Sequence, residues 1–270
     1  MKYSLINHNS HVACIFSIFC ILSKSEGLIF LNHAFILSIH SPYFCTTMNA
    51  KQLAAEHAVQ FVKDGMTIGL GTGSTSAFAI EAIGKKVRDG ISIKAVASSV
   101  RSEDLAKEVG IKLIPFAEVE SIDIYIDGAD EVDKNHNLIK GGGAALLREK
   151  ILAFNSKQFL VIVDSSKIVE HLGKFLLPVE IVPFAMELTL KQLQKTGCST
   201  SVRMNNNTPL ITDNGNLIID CDFKKIEEVE QLHQLINNIP GVVENGLFLN
   251  KIVKKVIVGY ESGEVKVLDK

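Results

Sequence analysis

Tryptophan is absent from this chain of 270 residues, and neither sign of charge predominates. The 28 Lys and Arg residues nearly balance the 30 Asp and Glu residues, so the formal net charge is −2. A value this close to zero argues against a protein that coats nucleic acid or an anionic membrane. We therefore expect no nucleic-acid partner and no membrane partner, and any site for an anion must be built from local groups.

Metal-binding and disulfide patterns are also missing. The five cysteines form no C-x-x-C pair, and the eight histidines include no H-x-x-x-H or H-E-x-x-H spacing. A zinc site or a disulfide framework is therefore not expected, and a reducing, cytoplasmic location is the better prediction. Cys198 and Cys221 are interpreted as structural residues.

Long hydrophobic runs are scarce even in residues 1–47, which differ in composition from the rest of the chain. The run "VACIFSIFCIL" has eleven residues and is interrupted by "SKSEG" before "LIFLNHAFILSI" resumes. Such a run is too short to span a membrane, although the core of a signal peptide is an alternative. From Met48 the pattern becomes that of an amphipathic helix. Residues 1–47 are therefore predicted to be a leader, a disordered extension or the product of an upstream reading frame.

Strands and helices alternate after Met48, beginning with a helix over 49–63 and the apolar strand "MTIGLG". This alternation predicts an α/β fold whose mostly parallel, Rossmann-like sheet is covered by helices on both faces. The later order is strand, helix, strand, strand, helix, with an Asn-Gly hairpin signal in "LITDNGNLIID". We predict a main domain of residues 48–178 plus 251–270 and a smaller, inserted α+β (ferredoxin-like) lid domain of residues 179–250.

The segment "GLGTGSTS" joins a strand to a helix through a glycine turn. Free N–H groups at the start of the helix converge there with the hydroxyls of Thr72, Ser74 and Thr75, which is typical of an anion site. No G-K-[S/T] closes the loop as in a Walker A motif, and Ser74 occupies the third glycine position of a dinucleotide fingerprint. The loop therefore favours a small phosphate monoester over a nucleotide. A plain helix cap on a tight turn is the alternative.

The segment "IDIYIDGADE" begins as an alternating strand and ends in three acids, Asp127, Asp130 and Glu131. Carboxylates this close repel one another, so the cluster costs stability unless a neighbour compensates it or uses it. In parallel sheets ligands gather at the carboxyl ends of the strands, which is where these acids fall. The acids are therefore candidates for a functional site.

The segment "NLIKGGGAALLREK" follows a few residues later. Its three glycines allow a ligand to approach the backbone closely, and a helix predicted to begin at Ala144 points its amino terminus at the same space. Lys140 precedes the glycines, and Glu149 lies on the helix between Arg148 and Lys150. A solvated helix face of opposite charges is the alternative for these last three residues.

Together these stretches supply a phosphate loop, two acids, a lysine and a helical glutamate, without a metal or cofactor motif. Moving a proton between neighbouring carbons of a sugar phosphate needs only such groups, because the reaction passes through an enediolate. It requires a carboxylate base, a cation or donor for the developing oxyanion, and a group that carries the hydroxyl proton. Paired carboxylates push their pKa values apart and can divide these roles.

Two weaker motifs remain. The strand end "VIVDSSK" places Lys167 beside two serine hydroxyls, where it is either a second phosphate contact or part of a helix cap. His136, in "DKNHN", is either a catalytic acid or a residue of a surface turn, and the turn is the preferred interpretation.

Seven motifs in this order resemble the type A ribose-5-phosphate isomerase family, from about Lys51 to the end of the chain. They are "GLGTGST", "DGADE", "KGGGAALLREK", "VDSSK", "LGKFLLPVEIVPFA", "LITDNGNLIID" and "NNIPGVVENGLF". The resemblance implies interconversion of ribose 5-phosphate and ribulose 5-phosphate, in the non-oxidative pentose phosphate pathway, with no metal and no cofactor. It also implies an α/β main domain with a small lid domain, assembled as a homodimer or a tetramer.

The same resemblance implies roles for individual residues. Glu149 would be the general base, Asp127, Asp130 and Lys140 would complete the catalytic group, and Asp130 and Lys140 would stabilise the enediolate. Lys51 would be a further phosphate contact. The implied substrate contacts are Lys51, Thr72, Gly73, Ser74, Thr75, Asp127, Gly128, Ala129, Asp130, Lys140, Gly141, Gly142, Gly143 and Lys167.

Two other functions compete with this prediction. A sugar-phosphate sensing domain would need no base, and it would usually follow a DNA-binding helix pair that is not found ahead of Met48. A sugar-phosphate deaminase or lactonase would be expected to place a catalytic histidine near the acids, and His136 is the candidate for that role.

Overall fold

The computed structural model describes residues 49–269, which contain six α-helices and fifteen strands. The helices are α1 (Ala50–Val59), α2 (Ser74–Arg88), α3 (Val100–Glu108), α4 (Leu146–Phe154), α5 (Met186–Gln194) and α6 (Val229–Asn237). The strands are β1 (Thr67–Leu70), β2 (Lys94–Ala97), β3 (Ile124–Gly128), β4 (Glu131–Val132), β5 (Leu138–Ile139), β6 (Phe159–Asp164), β7 (Leu177–Ile181), β8 (Ser199–Val202), β9 (Met204–Asn205), β10 (Thr208–Pro209), β11 (Leu217–Asp222), β12 (Val242–Asn245), β13 (Leu247–Phe248), β14 (Lys255–Gly259) and β15 (Val265–Asp269).

The largest sheet has six strands in the order β15-β14-β6-β3-β1-β2. All neighbours are parallel except the edge pair β14 and β15, which is antiparallel. Helices α1, α2 and α3 pack on one face of this sheet, and α4 packs on the other. The predicted α/β class, with a mostly parallel sheet covered on both faces, is confirmed.

Side chains of β3 alternate between the two faces of this sheet. Ile124 and Ile126 join the apolar layer under α1 and α2, whereas Tyr125 points to the face that carries α4. Since successive strand residues point to opposite faces, Asp127 falls on the same face as Tyr125. The alternation therefore brings Asp127 to the face of the sheet that carries Glu149.

A second sheet is antiparallel and has the order β12-β7-β11-β8. Residues of α5 and α6, among them Leu193 and Ile236, pack with it in a separate apolar cluster. A three-stranded sheet, β13-β5-β4, is formed by short strands around the acids and glycines. These small sheets fit an inserted α+β unit, while its limits of 179–250 stay a prediction.

The predictions made for residues 1–47 lie outside the described residues. Within residues 49–269, no helix is both long enough and apolar enough to cross a membrane.

Candidate active site

A cavity of about 110 Å³ lies at the carboxyl ends of β1 and β3, against the loops that precede α2 and α4. Its lining consists of Lys51, Thr72, Gly73, Ser74, Thr75, Gly128, Ala129, Asp130, Lys140, Gly141, Gly142, Gly143, Glu149 and Lys167. The structure thus brings together all the predicted catalytic and substrate-contact residues except Asp127. Asp127 is fully buried and contacts the lining through Thr72 and Lys140.

The glycine turn after β1 is shaped by its contact with Asp127. A Cβ atom at Gly71 would lie 2.2 Å from Asp127 Oδ1, so only glycine fits there. Gly73 adopts a φ of 104°, which is also a glycine conformation, and α2 begins at the next residue. Lys51, in the first turn of α1, donates from Nζ to Ser74 Oγ at 3.2 Å. The turn therefore combines the amino terminus of a 15-residue helix with a lysine ammonium, which is a favourable setting for an anion.

A cluster of hydroxyl groups supports the turn from behind. Thr72 Oγ1 lies 2.8 Å from both Ser98 Oγ and Ser99 Oγ, and Ser102 Oγ donates to the carbonyl oxygen of Gly71 at 2.7 Å. The three serines are buried. Sequence reasoning missed them, although "AVASS" stands at the carboxyl end of β2, the neighbour of β1 in the sheet. They fix the rotamer of Thr72 at the cavity wall.

Asp127 is the most completely hydrogen-bonded acid of the site. Its Oδ1 accepts from Thr72 N at 3.0 Å, Ser76 Oγ at 2.9 Å and Gly128 N at 2.8 Å. Its Oδ2 accepts from the hydroxyl of Tyr125, which is fully buried. Burial and the charge of Asp127 raise the pKa of the Tyr125 phenol well above its ordinary value, so this group remains a donor. These hydrogen bonds fix the buried side chain of Asp127 in one orientation.

Lys140 is held between two buried carboxylates. Its Nζ lies 2.9 Å from Asp127 Oδ2 and 3.2 Å from Glu149 Oε2, and it donates to the Gly128 carbonyl oxygen at 2.6 Å. Burial acts to lower the pKa of this ammonium, but the charges of Asp127 and Glu149 outweigh burial and raise the pKa above its ordinary value. Lys140 therefore stays positively charged inside the protein.

Glu149 lies in the first turn of α4 and is 3% exposed. Burial, which outweighs the attraction of Lys140, raises the pKa of Glu149 to about 8, and the charge of Asp127 acts in the same direction as burial. Although Oε2 is close to the Lys140 ammonium, it has no hydrogen bond of good geometry within the described residues. A buried carboxyl with a raised pKa and an unsatisfied oxygen is suited to accept a proton from a bound molecule.

The helix that carries Glu149 begins later than the sequence predicts. It starts at Leu146 rather than at Ala144, so the predicted start is wrong. Ala144 adopts a left-handed φ of 60° and donates from its N–H to the Gly141 carbonyl oxygen at 3.0 Å. The glycine loop thus continues through Ala144, because its own turn takes precedence over the helix propensity of alanine.

The three acids at the end of β3 have separate partners. Asp130 Oδ2 accepts from Gly142 N at 2.7 Å, which ties the acid to the glycine loop. Glu131 turns away and accepts from the backbone N–H groups of Gly173 and Phe175 at 2.8 and 2.7 Å. Each carboxylate therefore has its own hydrogen-bond donors, which compensate the repulsion expected among the acids. Glu131 belongs to the scaffold rather than to the cavity.

The remaining predicted residues divide between the site and the scaffold. Lys167 ends a short 3-10 helix, Ser165–Lys167, and lines the cavity. His136 lies outside the lining, in a turn where its N–H donates to the Asp133 carbonyl oxygen, so the surface-turn interpretation is confirmed.

Cys198 and Cys221 are buried and carry free thiols, as expected for structural residues. No three His, Cys, Asp or Glu side chains within 49–269 are grouped so as to hold a metal ion.

The arrangement combines an anion-binding turn, a buried ammonium and a carboxyl with a raised pKa around one small cavity. A phosphorylated molecule bound at the turn would present its carbon chain to Glu149 and Lys140. Such a site can move a proton between carbon atoms while the ammonium compensates the charge that develops on oxygen.

Comparison with known proteins gives consistent matches. The family model for ribose 5-phosphate isomerase A (phosphoriboisomerase A) matches residues 94–263. Ribose-5-phosphate isomerase A from Bacillus mycoides is 52% identical over 217 residues, covering 80% of this chain and 98% of the relative. The structure of ribose 5-phosphate isomerase A from Methanocaldococcus jannaschii has a TM-score of 0.77 and 43% identity, covering 82% of this chain and 98% of that one. The structure of a D-ribose-5-phosphate isomerase in complex with phospho-erythronic acid has a TM-score of 0.79 and 42% identity, covering 83% of this chain and 100% of that one.

Proposed function

Because the chain belongs to the ribose 5-phosphate isomerase A family, we propose that it interconverts ribose 5-phosphate and ribulose 5-phosphate through an enediolate. The observation that carries the proposal is the buried Lys140 ammonium between the carboxylates of Asp127 and Glu149, at the wall of a small cavity. A solved relative binds phospho-erythronic acid, a phosphorylated sugar acid, which supports the same class of substrate. The proposed setting is the cytoplasm, which fits the free thiols of Cys198 and Cys221.

The phosphate is proposed to bind at the glycine turn. The amino terminus of α2 and the hydroxyls between Thr72 and Thr75 supply donors there. The ammonium of Lys51, 3.2 Å from one of these hydroxyls, and that of Lys167 supply positive charge. The rest of the lining, residues 128–130 and 140–143, then contacts the sugar.

Glu149 is the proposed base that removes the proton from C2 of ribose 5-phosphate and returns it to C1. When its carboxylate takes the proton, negative charge leaves Glu149 and develops on an oxygen of the enediolate. The ammonium of Lys140, which lies 3.2 Å from Glu149 Oε2, stays close to this charge before and after the transfer. Lys140 therefore stabilises the intermediate without leaving its position.

The two aspartates are proposed to orient the reacting groups. Asp127, 2.9 Å from Lys140 Nζ, keeps the ammonium charged and in place. Asp130 lines the cavity and exchanges a proton with the sugar hydroxyl groups while it holds the glycine loop through Gly142. No cofactor is given a role in this scheme.

The proposal is tested by incubating the purified full chain with ribose 5-phosphate and measuring ribulose 5-phosphate over time. Steady turnover is the expected result. Binding of ribose 5-phosphate without turnover would overturn the proposal and favour a sugar-phosphate sensor.

The pH dependence of kcat/KM should report the ionisation of Glu149. Burial raises its pKa to about 8, and only the ionised carboxylate can accept a proton from carbon. We therefore expect kcat/KM to rise with pH up to about 8 and to fall about tenfold for each pH unit below that value. The phosphate of the substrate titrates at about pH 6, so its contribution to the pH profile of kcat/KM is separable from that of Glu149. A profile that is flat between about pH 6 and 9 would contradict this role for Glu149.

We also propose that the chain assembles as a homodimer or tetramer. Two groups of exposed apolar side chains support the assembly: Ile151 and Phe154 are 49% and 73% exposed on α4, and Phe184 and Leu188 are 86% and 62% exposed near α5. Contiguous groups of exposed apolar side chains, rather than single ones, mark interaction surfaces. Light scattering coupled to gel filtration should give the mass of two or four chains, and the mass of one chain would contradict the proposal.

A further inference from the structure

Arg203 contacts the glycine loop, residues 141–143, although it belongs to the second sheet. It follows β8, where its own N–H donates to the Ile218 carbonyl oxygen at 2.8 Å. Its guanidinium is held by Asp220 of β11, with Nε 2.9 Å from Oδ2 and Nη2 bonded to Oδ1. Its side chain is 14% exposed. A bidentate pair of this kind fixes the guanidinium in orientation as well as in position.

The free end of this guanidinium contacts the glycine loop. Nη1 donates to the carbonyl oxygen of Gly141 at 2.7 Å and to that of Gly142 at 3.2 Å. The peptide between Gly141 and Gly142 is therefore held at both ends, since its N–H donates to Asp130 Oδ2. Arg203 and Asp130 approach this peptide from opposite sides, because the C=O and N–H of a trans peptide point in opposite directions.

The peptide between Gly142 and Gly143 is held at one end only. Its carbonyl oxygen, on Gly142, accepts from Arg203, whereas the N–H of Gly143 has no acceptor among residues 49–269. Gly143 lines the cavity and Arg203 does not. A carbonyl that points to Arg203 therefore turns the N–H of Gly143 towards the space where the substrate is proposed to bind.

We propose that Arg203 is a positioning residue that fixes the peptides of residues 141–143, so that the N–H of Gly143 donates to an oxygen at the reacting end of the substrate. The inference rests on the proposed function. Lys140, which begins the loop, and Asp130, which accepts from the N–H of Gly142, are proposed to act at the same end. Loss of Arg203 should therefore lower kcat more than it raises KM, because a donor aimed at developing charge acts mainly on the transition state.

Arg203→Met and the matched control Arg148→Met test the proposal. Arg148 makes a comparable long-range contact, from α4 to the turn that precedes β11, through Nη2 to the Asp213 carbonyl oxygen at 2.8 Å and Nε to Asn214 Oδ1 at 2.8 Å. None of its hydrogen bonds reaches residues 141–143. We expect Arg203→Met to lower kcat by up to about 10²-fold, as for other misplaced catalytic groups, and Arg148→Met to leave kcat nearly unchanged.

Amide hydrogen exchange supplies a readout that does not depend on activity. The amide of Gly142 donates to Asp130, and that of Ala144 donates to the Gly141 carbonyl oxygen. Both amides should exchange faster in Arg203→Met, whereas the Arg148 variant should match the wild type. Asp220→Asn keeps Arg203 but weakens its bidentate pair with residue 220. This variant should change the exchange rates of the same amides, and kcat, by less than Arg203→Met does. Equal changes in kcat and exchange for both arginine variants, or unchanged loop exchange in Arg203→Met, would overturn the proposal. If the wild-type chain showed no turnover, the proposed function would fail. The role of Arg203 in fixing the loop would still be tested, because the exchange comparison does not depend on activity.

Discussion

Glu149→Gln should lower kcat for ribose 5-phosphate by about 10²–10⁴-fold, the contribution typical of a general base. The change removes the only group of the cavity for which a raised pKa, to about 8, and an unsatisfied buried oxygen coincide within the described residues. A glutamine amide has nearly the same shape and can accept from Lys140. The affinity for ribose 5-phosphate, measured by calorimetry, should therefore change by less than about tenfold.

Glu180→Gln is the matched control for this experiment. Glu180 is also a fully buried glutamate, but it lies on β7 in the second sheet. Its Oε1 accepts from Thr212 Oγ1, Asn214 Nδ2 and Asn216 Nδ2 at 2.9, 3.1 and 2.9 Å. We expect this variant to keep its turnover, even if its stability changes. Substantial turnover in Glu149→Gln, or an equal loss in Glu180→Gln, would contradict the role of Glu149.

Lys140→Met should lower kcat by about 10²–10³-fold, the loss seen when a donor to a developing oxyanion is removed. It should also destabilise the protein by about 3–5 kcal/mol near neutral pH, because breaking a buried ion pair leaves an uncompensated charge. The lost partners are the carboxylates of Asp127 and Glu149, at 2.9 and 3.2 Å from Nζ. Activity and the free energy of unfolding in urea measure the two effects separately.

The stability loss in Lys140→Met should depend on pH. Burial already raises the pKa of Glu149 to about 8 in the intact site, and without the ammonium of Lys140 nothing opposes burial there, so this pKa rises further. A group whose pKa is raised by folding supports the fold below its unfolded pKa, and this support is lost as pH rises through the folded pKa. The difference from wild type should therefore be small in acid and grow above neutral pH.

Lys167→Met is the control for the lysine experiment. Lys167 lines the same cavity, but none of the ion pairs found within residues 49–269 involves it. Its loss should raise KM, because the proposed phosphate contact is removed, and should leave the free energy of unfolding nearly unchanged. A Lys140→Met protein as stable and active as Lys167→Met would contradict the buried charge arrangement.

Much of the site could be predicted because its residues interrupt regular patterns. The glycine turn after β1, Asp127 and Asp130 come at the ends of apolar parallel strands, whose carboxyl ends meet at one edge of the sheet. Lys140 and the glycines after it follow the short apolar strand β5. The fold class followed from the same alternation of strands and helices. These signals are local, so a single sequence contains them.

Other parts of the site depend on contacts between distant segments. Tyr125 resembles one more apolar residue of its strand, yet its hydroxyl donates to Asp127. Arg203 is 62 residues from the glycine whose carbonyl it holds, and no local pattern connects the two. The sequence predicts that α4 starts at Ala144, a residue type with high helix propensity, whereas the loop before the helix imposes a left-handed conformation on this residue. Tertiary contacts, which no local pattern encodes, decide these features.

The central claim is that Glu149 carries a proton between two carbons, and isomerisation in D₂O tests it most directly. The full chain, with EDTA present, would be incubated with ribose 5-phosphate, and the product followed by proton NMR. We predict conversion to ribulose 5-phosphate with deuterium at C1, because the proton held by the Glu149 carboxyl can exchange with solvent during transfer. Conversion that requires an added divalent cation and keeps every carbon-bound proton would contradict the account, since it would indicate a hydride shift instead.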